Sequence, residues 1–221
     1  ASQCNGGSDN VFIGYQTGRS MDTGTKNVFL GNNAGKDMSN GSNNVFLGTD
    51  TGQMSSGANN VFLGTSTGKN VSGSFNIFLG NEVASLSNGG TNNVFLGYQT
   101  GKSMHTGTSN VFLGNSAGKE ATVGDNNVFL GTNAGSNNTG SQNVFVGNDV
   151  ASLSNGGENN VFLGYQAGKY THTGKDNVFL GNKTGMCNTT GSYNVFLGYE
   201  TGMLNNTGEA NIFLGYRAGR N

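Results

Sequence analysis

At 221 residues with 40 Gly, no Pro, no Trp and only 10% charged side chains, the chain departs from ordinary globular composition. Its net charge of −1 provides no electrostatic footprint for nucleic acid or an anionic membrane, and no stretch approaches the roughly 20 apolar residues of a bilayer span. A composition this polar and Gly-rich favours disorder; its strict period argues for order.

The period is set by Asn-[Val/Ile]-Phe-[Leu/Ile/Val]-Gly, which begins at Asn10, Asn27, Asn44, Asn60, Asn76, Asn93, Asn110, Asn127, Asn143, Asn160, Asn177, Asn194 and Asn211. Copies are 17 residues apart except for three intervals of 16 (44 to 60, 60 to 76 and 127 to 143). A second Gly follows the motif Gly by four residues, as Gly18 follows Gly14, with Ala84 and Ala151 substituting in two copies. A third precedes each motif Asn by three, as Gly7 precedes Asn10, and Gly6, Gly89 and Gly156 double that turn. The length changes fall between the second and third Gly, so one loop absorbs them.

Three Gly per repeat exclude a helix, because each costs about 1 kcal/mol in a helix interior. Val, Phe and Ile favour strands, and Gly supplies the corners between them. The unit is too short for a helical repeat, and the predicted fold is all-β, a parallel β-solenoid of thirteen 16–17-residue coils forming one domain over residues 1–221. With coils about 4.8 Å apart, the rod would be roughly 60 Å long. Identical residues then stack, including thirteen Phe and an axial ladder of Asn amides.

The stretch Asn10-Val11-Phe12-Ile13-Gly14, followed by Tyr15-Gln16-Thr17-Gly18, resembles the head repeat of YadA-like trimeric autotransporter adhesins and related bacterial and phage fibre proteins. The resemblance covers residues 5–221 and rests on one short motif. It implies a left-handed parallel β-roll with the motif as inner strand, three chains packed together, and an extracellular setting. Phe stands where the adhesin motif usually carries a small residue, and the coils are somewhat longer.

Side chains alternate along a strand, so Val45 and Leu47 point one way and Phe46 the other. A single interior buries one set and leaves the other as an apolar stripe larger than a monomer tolerates. The stripe predicts lateral self-association along the motif strand. The Phe residues (Phe12, Phe29, Phe46, Phe62, Phe78, Phe95, Phe112, Phe129, Phe145, Phe162, Phe179, Phe196 and Phe213) are therefore the candidate assembly ladder or, in the alternative, the core ladder.

The termini raise a second expectation. Residues 211–221 joined to residues 4–9 or 5–9 of another copy make 17 or 16 residues, the two native coil lengths. Head-to-tail polymerisation follows, with a chain trimmed at repeat boundaries as the alternative. Cys4 and Cys187 lie some eleven coils apart, beyond the roughly 7 Å a disulfide spans. Across a shared coil the axial gap falls to about 10 Å, so an intersubunit bridge stands beside two unpaired thiols as the expectation. A bridge would imply an oxidising compartment.

No catalytic constellation, metal set or cofactor motif is present. His105 and His172 occupy equivalent loop positions four coils apart, about 19 Å, too far to share a metal. The Asp that recurs in Ca²⁺-binding nonapeptides is missing, and no Gly-Lys-Ser/Thr follows the glycines. Thr49-Asp50-Thr51 and Thr65-Ser66-Thr67 are similar to the ranks of ice-binding solenoids. Tyr15, Tyr98, Tyr165, Tyr199 and Tyr216 share the position after the motif Gly, where exposed rings would stack on sugars and packed rings would serve a corner.

The sequence thus points to a non-enzymatic extracellular structural protein without cofactors, self-associating into a surface or matrix fibre. The alternative is an adhesin head or phage-fibre module that binds matrix protein or glycan as a trimer. Neither expectation includes nucleic acid or direct membrane insertion.

Overall fold

The computed structural model describes residues 7–88 and 90–220. It is all-β, a β-solenoid of thirteen parallel strands with repeats of about 17 residues and, among the described residues, no helix. The chain divides into two compact units, residues 1–109 and 110–221. The first carries β1 (Val11–Ile13), β2 (Val28–Leu30), β3 (Val45–Leu47), β4 (Val61–Leu63), β5 (Ile77–Asn81) and β6 (Val94–Tyr98). The second carries β7 (Val111–Leu113), β8 (Val128–Leu130), β9 (Val144–Val146), β10 (Val161–Leu163), β11 (Val178–Leu180), β12 (Val195–Leu197) and β13 (Ile212–Leu214).

Within each unit every strand pairs in parallel with its neighbour in sequence, residue for residue. Val28 faces Val45, Phe29 faces Phe46 and Leu30 faces Leu47. The 16-residue coils keep this register, with Val45 on Val61 and Val128 on Val144. A one-residue slip would turn Phe outward; shortening the loop between the second and third Gly leaves the strand undisturbed.

Only three to five residues per coil are strand, yet hydrogen bonds join successive coils well beyond it. Gly18 N–H donates to the Ala34 carbonyl at 2.9 Å, Asn33 N–H to Tyr15 at 2.9 Å, and Ser20 N–H to Lys36 at 3.0 Å. Backbone groups buried at the corners are therefore satisfied by the coil above or below.

Two corners show what Gly supplies. A Cβ on Gly48 (φ +133°) would lie 2.0 Å from the Gly64 carbonyl oxygen of the next coil. A Cβ on Gly52 (φ +58°) would lie 2.3 Å from the ring of Phe46 in its own coil. The first clash would break the coil spacing; the second needs a local shift, which the coils with Ala84 and Ala151 at this corner (φ 49° and 46°) make while the ring, Phe78 or Phe145, stays buried.

That ring is the core. Phe29, Phe46, Phe62, Phe78 and Phe95 in the first unit are buried, as are Phe112, Phe129, Phe145, Phe162, Phe179 and Phe196 in the second. Phe12 and Phe213 are half-buried. Adjacent rings stack face to face with centroids 4.6–5.0 Å apart in the first unit and 4.5–5.1 Å in the second. Across the lumen stand small residues such as Ala34, Thr51 and Val83, and fillers of varied size such as Met21, Met38 and Val71. Thr51 Oγ1 donates to the Gly64 carbonyl at 2.5 Å, and Thr184 Oγ1 to Gly198 at 2.7 Å, so the buried hydroxyls also bind coil to coil.

Candidate functional site

Because Phe points inward, the stripe on the opposite face of the motif strand consists of Val or Ile at its first position and mostly Leu at its third. The sequence left assembly or core open for the Phe ladder, and the structure places it in the core. The lateral-assembly role is corrected accordingly: the five buried rings of the first unit and the six of the second have no solvent-facing surface to offer a partner. The outward pairs are half-buried to exposed, Val28 at 40% and Leu30 at 46% in the first unit, Val195 at 41% and Leu197 at 42% in the second. Full burial of such a side chain, 1.5–3 kcal/mol at about 25 cal/mol/Å², corresponds to roughly 60–120 Å². With about a third of each exposed, one unit presents roughly 250–500 Å² of contiguous apolar surface, the size of the largest patch on a typical monomer.

Two aromatics border this seam. Phe75 and Tyr193 are exposed and lie in the left-handed region, both at φ 61°. Each stands immediately before the motif Asn, where Asn43, Asn59, Asn92, Asn126 and Asn159 stand in other coils. Asn tolerates this conformation far better than a bulky ring does. Sequence reading passed over both; the signal was an aromatic at a corner position that Asn usually fills.

The five tyrosines after the motif Gly are exposed, from 41% at Tyr199 to 68% at Tyr15 and Tyr216. Tyr199 and Tyr216 stack at 5.5 Å, and the Arg217 guanidinium lies 4.9 Å from the Tyr216 ring centroid. Tyr15, Tyr98 and Tyr165 have Asn32, Asn81 and Asn182 at the same place in an adjoining coil, so no continuous aromatic ladder forms.

The Thr-x-Thr ranks do not face solvent together. Thr51 and Thr67 are buried, with hydroxyls committed to the Gly64 and Gly80 carbonyls at 2.5 Å. Only Thr49 and Thr65 are left on the surface, and no two-column rank is present.

Cys4 lies outside the described residues, and with it the Cys4–Cys187 bridge. Cys187 is a free, half-buried thiol, and burial pushes its pKa above the ordinary value. His105 is exposed and His172 half-buried, with its Nδ1 unpartnered. Among the described residues, no group of three or more His, Cys, Asp or Glu is placed to hold a metal ion. No helix long and apolar enough to cross a membrane occurs among the described residues.

No family model, curated protein or solved structure matches the chain, so its functional reading rests on its own geometry.

Proposed function

We propose that this chain is a non-enzymatic, extracellular structural protein whose motif strands pack laterally against further copies of itself to build a surface or matrix fibre. The observation that carries the proposal is the outward Val/Leu seam. Its chemistry specifies the partner. An apolar pair recurs at every coil, about 4.8 Å apart, and a surface that matches it must repeat at the same interval. Another copy of this chain meets that condition without further adaptation, and self-complementary contacts are the rule in homo-oligomers. Stable interfaces bury about 800 Å² per partner. The seam contributes a large part of that area, and Phe75 and Tyr193 beside it are the type of rigid aromatic anchor found at interface hot spots.

Sedimentation velocity tests the proposal, comparing the chain with Leu47→Lys/Leu180→Lys. Both positions are only half-buried and point away from the core, so the variant keeps the β circular dichroism of the parent. The expected result is an oligomer that the two charges dissociate. A parent that sediments as a monomer at about micromolar concentration, the range of ordinary association (about −8 kcal/mol), would sink the reading.

A second reading has an observation of its own. Five exposed tyrosines at one corner suit an adhesin or fibre module that contacts matrix protein or glycan through its outer face. Discrete oligomers that bind immobilised matrix protein or glycan, and lose binding on Tyr→Ala substitution, would favour it over a plain fibre.

A further inference from the structure

The residue after the second Gly of a coil is a long basic side chain in Arg19, Lys36, Lys69, Lys102, Lys119 and Lys169. Two adjacent coils of the second unit carry Ser136 and Ser152 there instead. Without the long side chains, a surface notch of about 260 Å³ opens, bounded also by Asn133, Asn137, Asp149, Leu153 and Lys169.

The first unit holds the same local sequence in another state. Glu82-Val83-Ala84-Ser85-Leu86 corresponds to Asp149-Val150-Ala151-Ser152-Leu153, with Lys102 in the place of Lys169. There Glu82 takes hydrogen bonds from Lys102 Nζ and Gln99 Nε2, both at 2.8 Å, and Lys69 stands where Ser136 does. That place is occupied by the protein's own charges. In the second unit the carboxylate is one methylene shorter. Asp149 Oδ1 accepts only from Asn133 Nδ2 at 2.9 Å, and the Lys169 ammonium lies 5.7 Å from the Tyr170 ring centroid with no carboxylate partner among the described residues.

Ser152 completes the lining of the notch. It is 6% exposed, and its main-chain carbonyl accepts from Asn137 Nδ2 at 3.1 Å.

We propose that this notch binds a neutral saccharide unit. One carboxylate and one ammonium, each lacking an ionic partner, offset each other, so the site favours neither a free anion nor a cation. Around them, amides and hydroxyls both donate and accept. The ligand chemistry that answers this set is a ring bearing neighbouring hydroxyls, each donor and acceptor at once. The exposed Leu153 offers an apolar contact for the C–H face of that ring. The volume is below the 300–1,000 Å³ typical of drug-sized pockets, which matches one sugar ring rather than a long chain. This site lies on the outer corner, apart from the assembly seam, and does not depend on self-association.

The test is ligand-observed saturation-transfer NMR on the full chain with methyl α-glucoside, methyl α-mannoside, methyl β-galactoside and N-acetylglucosamine, each supplied singly. Transfer to at least one is expected, with Kd on the order of 1–10 mM, as befits a single open site. Ser136→Lys/Asp149→Glu installs the first unit's residues, which that unit shows to fit the coil. It should weaken binding at least about tenfold with unchanged circular dichroism. Asp149→Asn keeps the shape, removes the strongest acceptor and should also weaken binding. Absence of transfer to all four sugars, or undiminished binding by the double variant, would overturn the proposal.

Discussion

Asn27 Oδ1 accepts two hydrogen bonds from Asn44, one from its main-chain N–H at 2.9 Å and one from its side-chain Nδ2 at 3.1 Å. Asn44 Nδ2 also donates to the Gly57 carbonyl at 3.0 Å, and Asn44 Oδ1 accepts from the Asn60 main chain at 2.9 Å. The same pattern recurs through both units, for example from Asn160 to Asn177 to Asn194. Each buried amide thus links its own coil to those on either side. Asn44→Ala should leave the Gly57 carbonyl, the Asn27 Oδ1 and the Asn60 N–H short of partners, at about 1–3 kcal/mol for each group left unsatisfied. Asn44→Asp should be worse, because a carboxylate there faces two acceptors with nothing to donate. Thermal melting that ranks Asp above Ala, or shows no loss for either, would contradict this account of the ladder.

The Phe column makes a separate prediction. Phe129 packs between Phe112 at 4.5 Å and Phe145 at 4.9 Å and is fully buried. Phe129→Ala removes both stacking contacts and leaves a cavity, so a cost of about 3–5 kcal/mol is expected. Phe12 is half-buried and stacks on Phe29 alone among the described residues, so Phe12→Ala should cost markedly less. Urea unfolding of the two variants decides the matter, and equal losses would refute the graded column.

Two glycines that look alike in sequence should respond in opposite ways. Gly48→Ala puts a methyl group 2.0 Å from the Gly64 carbonyl at a φ of +133° that L-residues rarely adopt. Coil spacing must give way there, and a loss of several kcal/mol or failure to fold is expected. A Cβ on Gly156, the doubled turn residue, meets nothing closer than Thr139 Oγ1 at 3.6 Å. Gly156→Ala should lie within about 0.5 kcal/mol of the parent. Expression and melting of both proteins provide the measurement.

The period of the Asn-Val-Phe-Leu-Gly motif was enough to specify strand, register and amide ladder, because a solenoid stacks like on like. Alternation alone could not say whether Phe46 or the Val45/Leu47 pair faces inward, since both sets are apolar. The discriminating residue was Gly52. Its missing Cβ leaves room for the Phe46 ring 2.3 Å from where that atom would sit, and the only other residue found at this corner is the small Ala, at Ala84 and Ala151, so the corner indicates an inward Phe. Gln16, Asn33 and Asp50 escaped notice for a related reason: they adopt positive φ without being Gly, at a corner where the chain must turn whatever the side chain. The notch at Ser136 and Ser152 was illegible because it is made by what neighbouring coils lack, and only assembled coils bring Asp149 and Lys169 to its rim.

Glu200 contributes an acid-side pH dependence to the second unit. Its carboxylate receives a hydrogen bond from Arg217 Nε at 2.9 Å and lies 3.3 Å from Arg220 Nε. Burial pushes the carboxyl up, but hydrogen bonds from Tyr199 and Arg217 and the charges of Arg220 and Arg217 outweigh it, holding Glu200 below the usual carboxylate range. A carboxyl whose folded pKa is depressed binds fewer protons than its unfolded counterpart at the same pH. Its contribution is therefore complete above the unfolded value, about 4.3, and is lost as pH falls through the lower folded value. Melting temperature should fall more steeply with acidification below about pH 5 in the parent than in Glu200→Gln, which has no carboxyl to protonate. The variant should start lower at neutral pH, where the parent's ion pairs are formed, and the two curves should converge in acid. Parallel curves over that range would show that the Arg217–Glu200–Arg220 contact contributes nothing to folding.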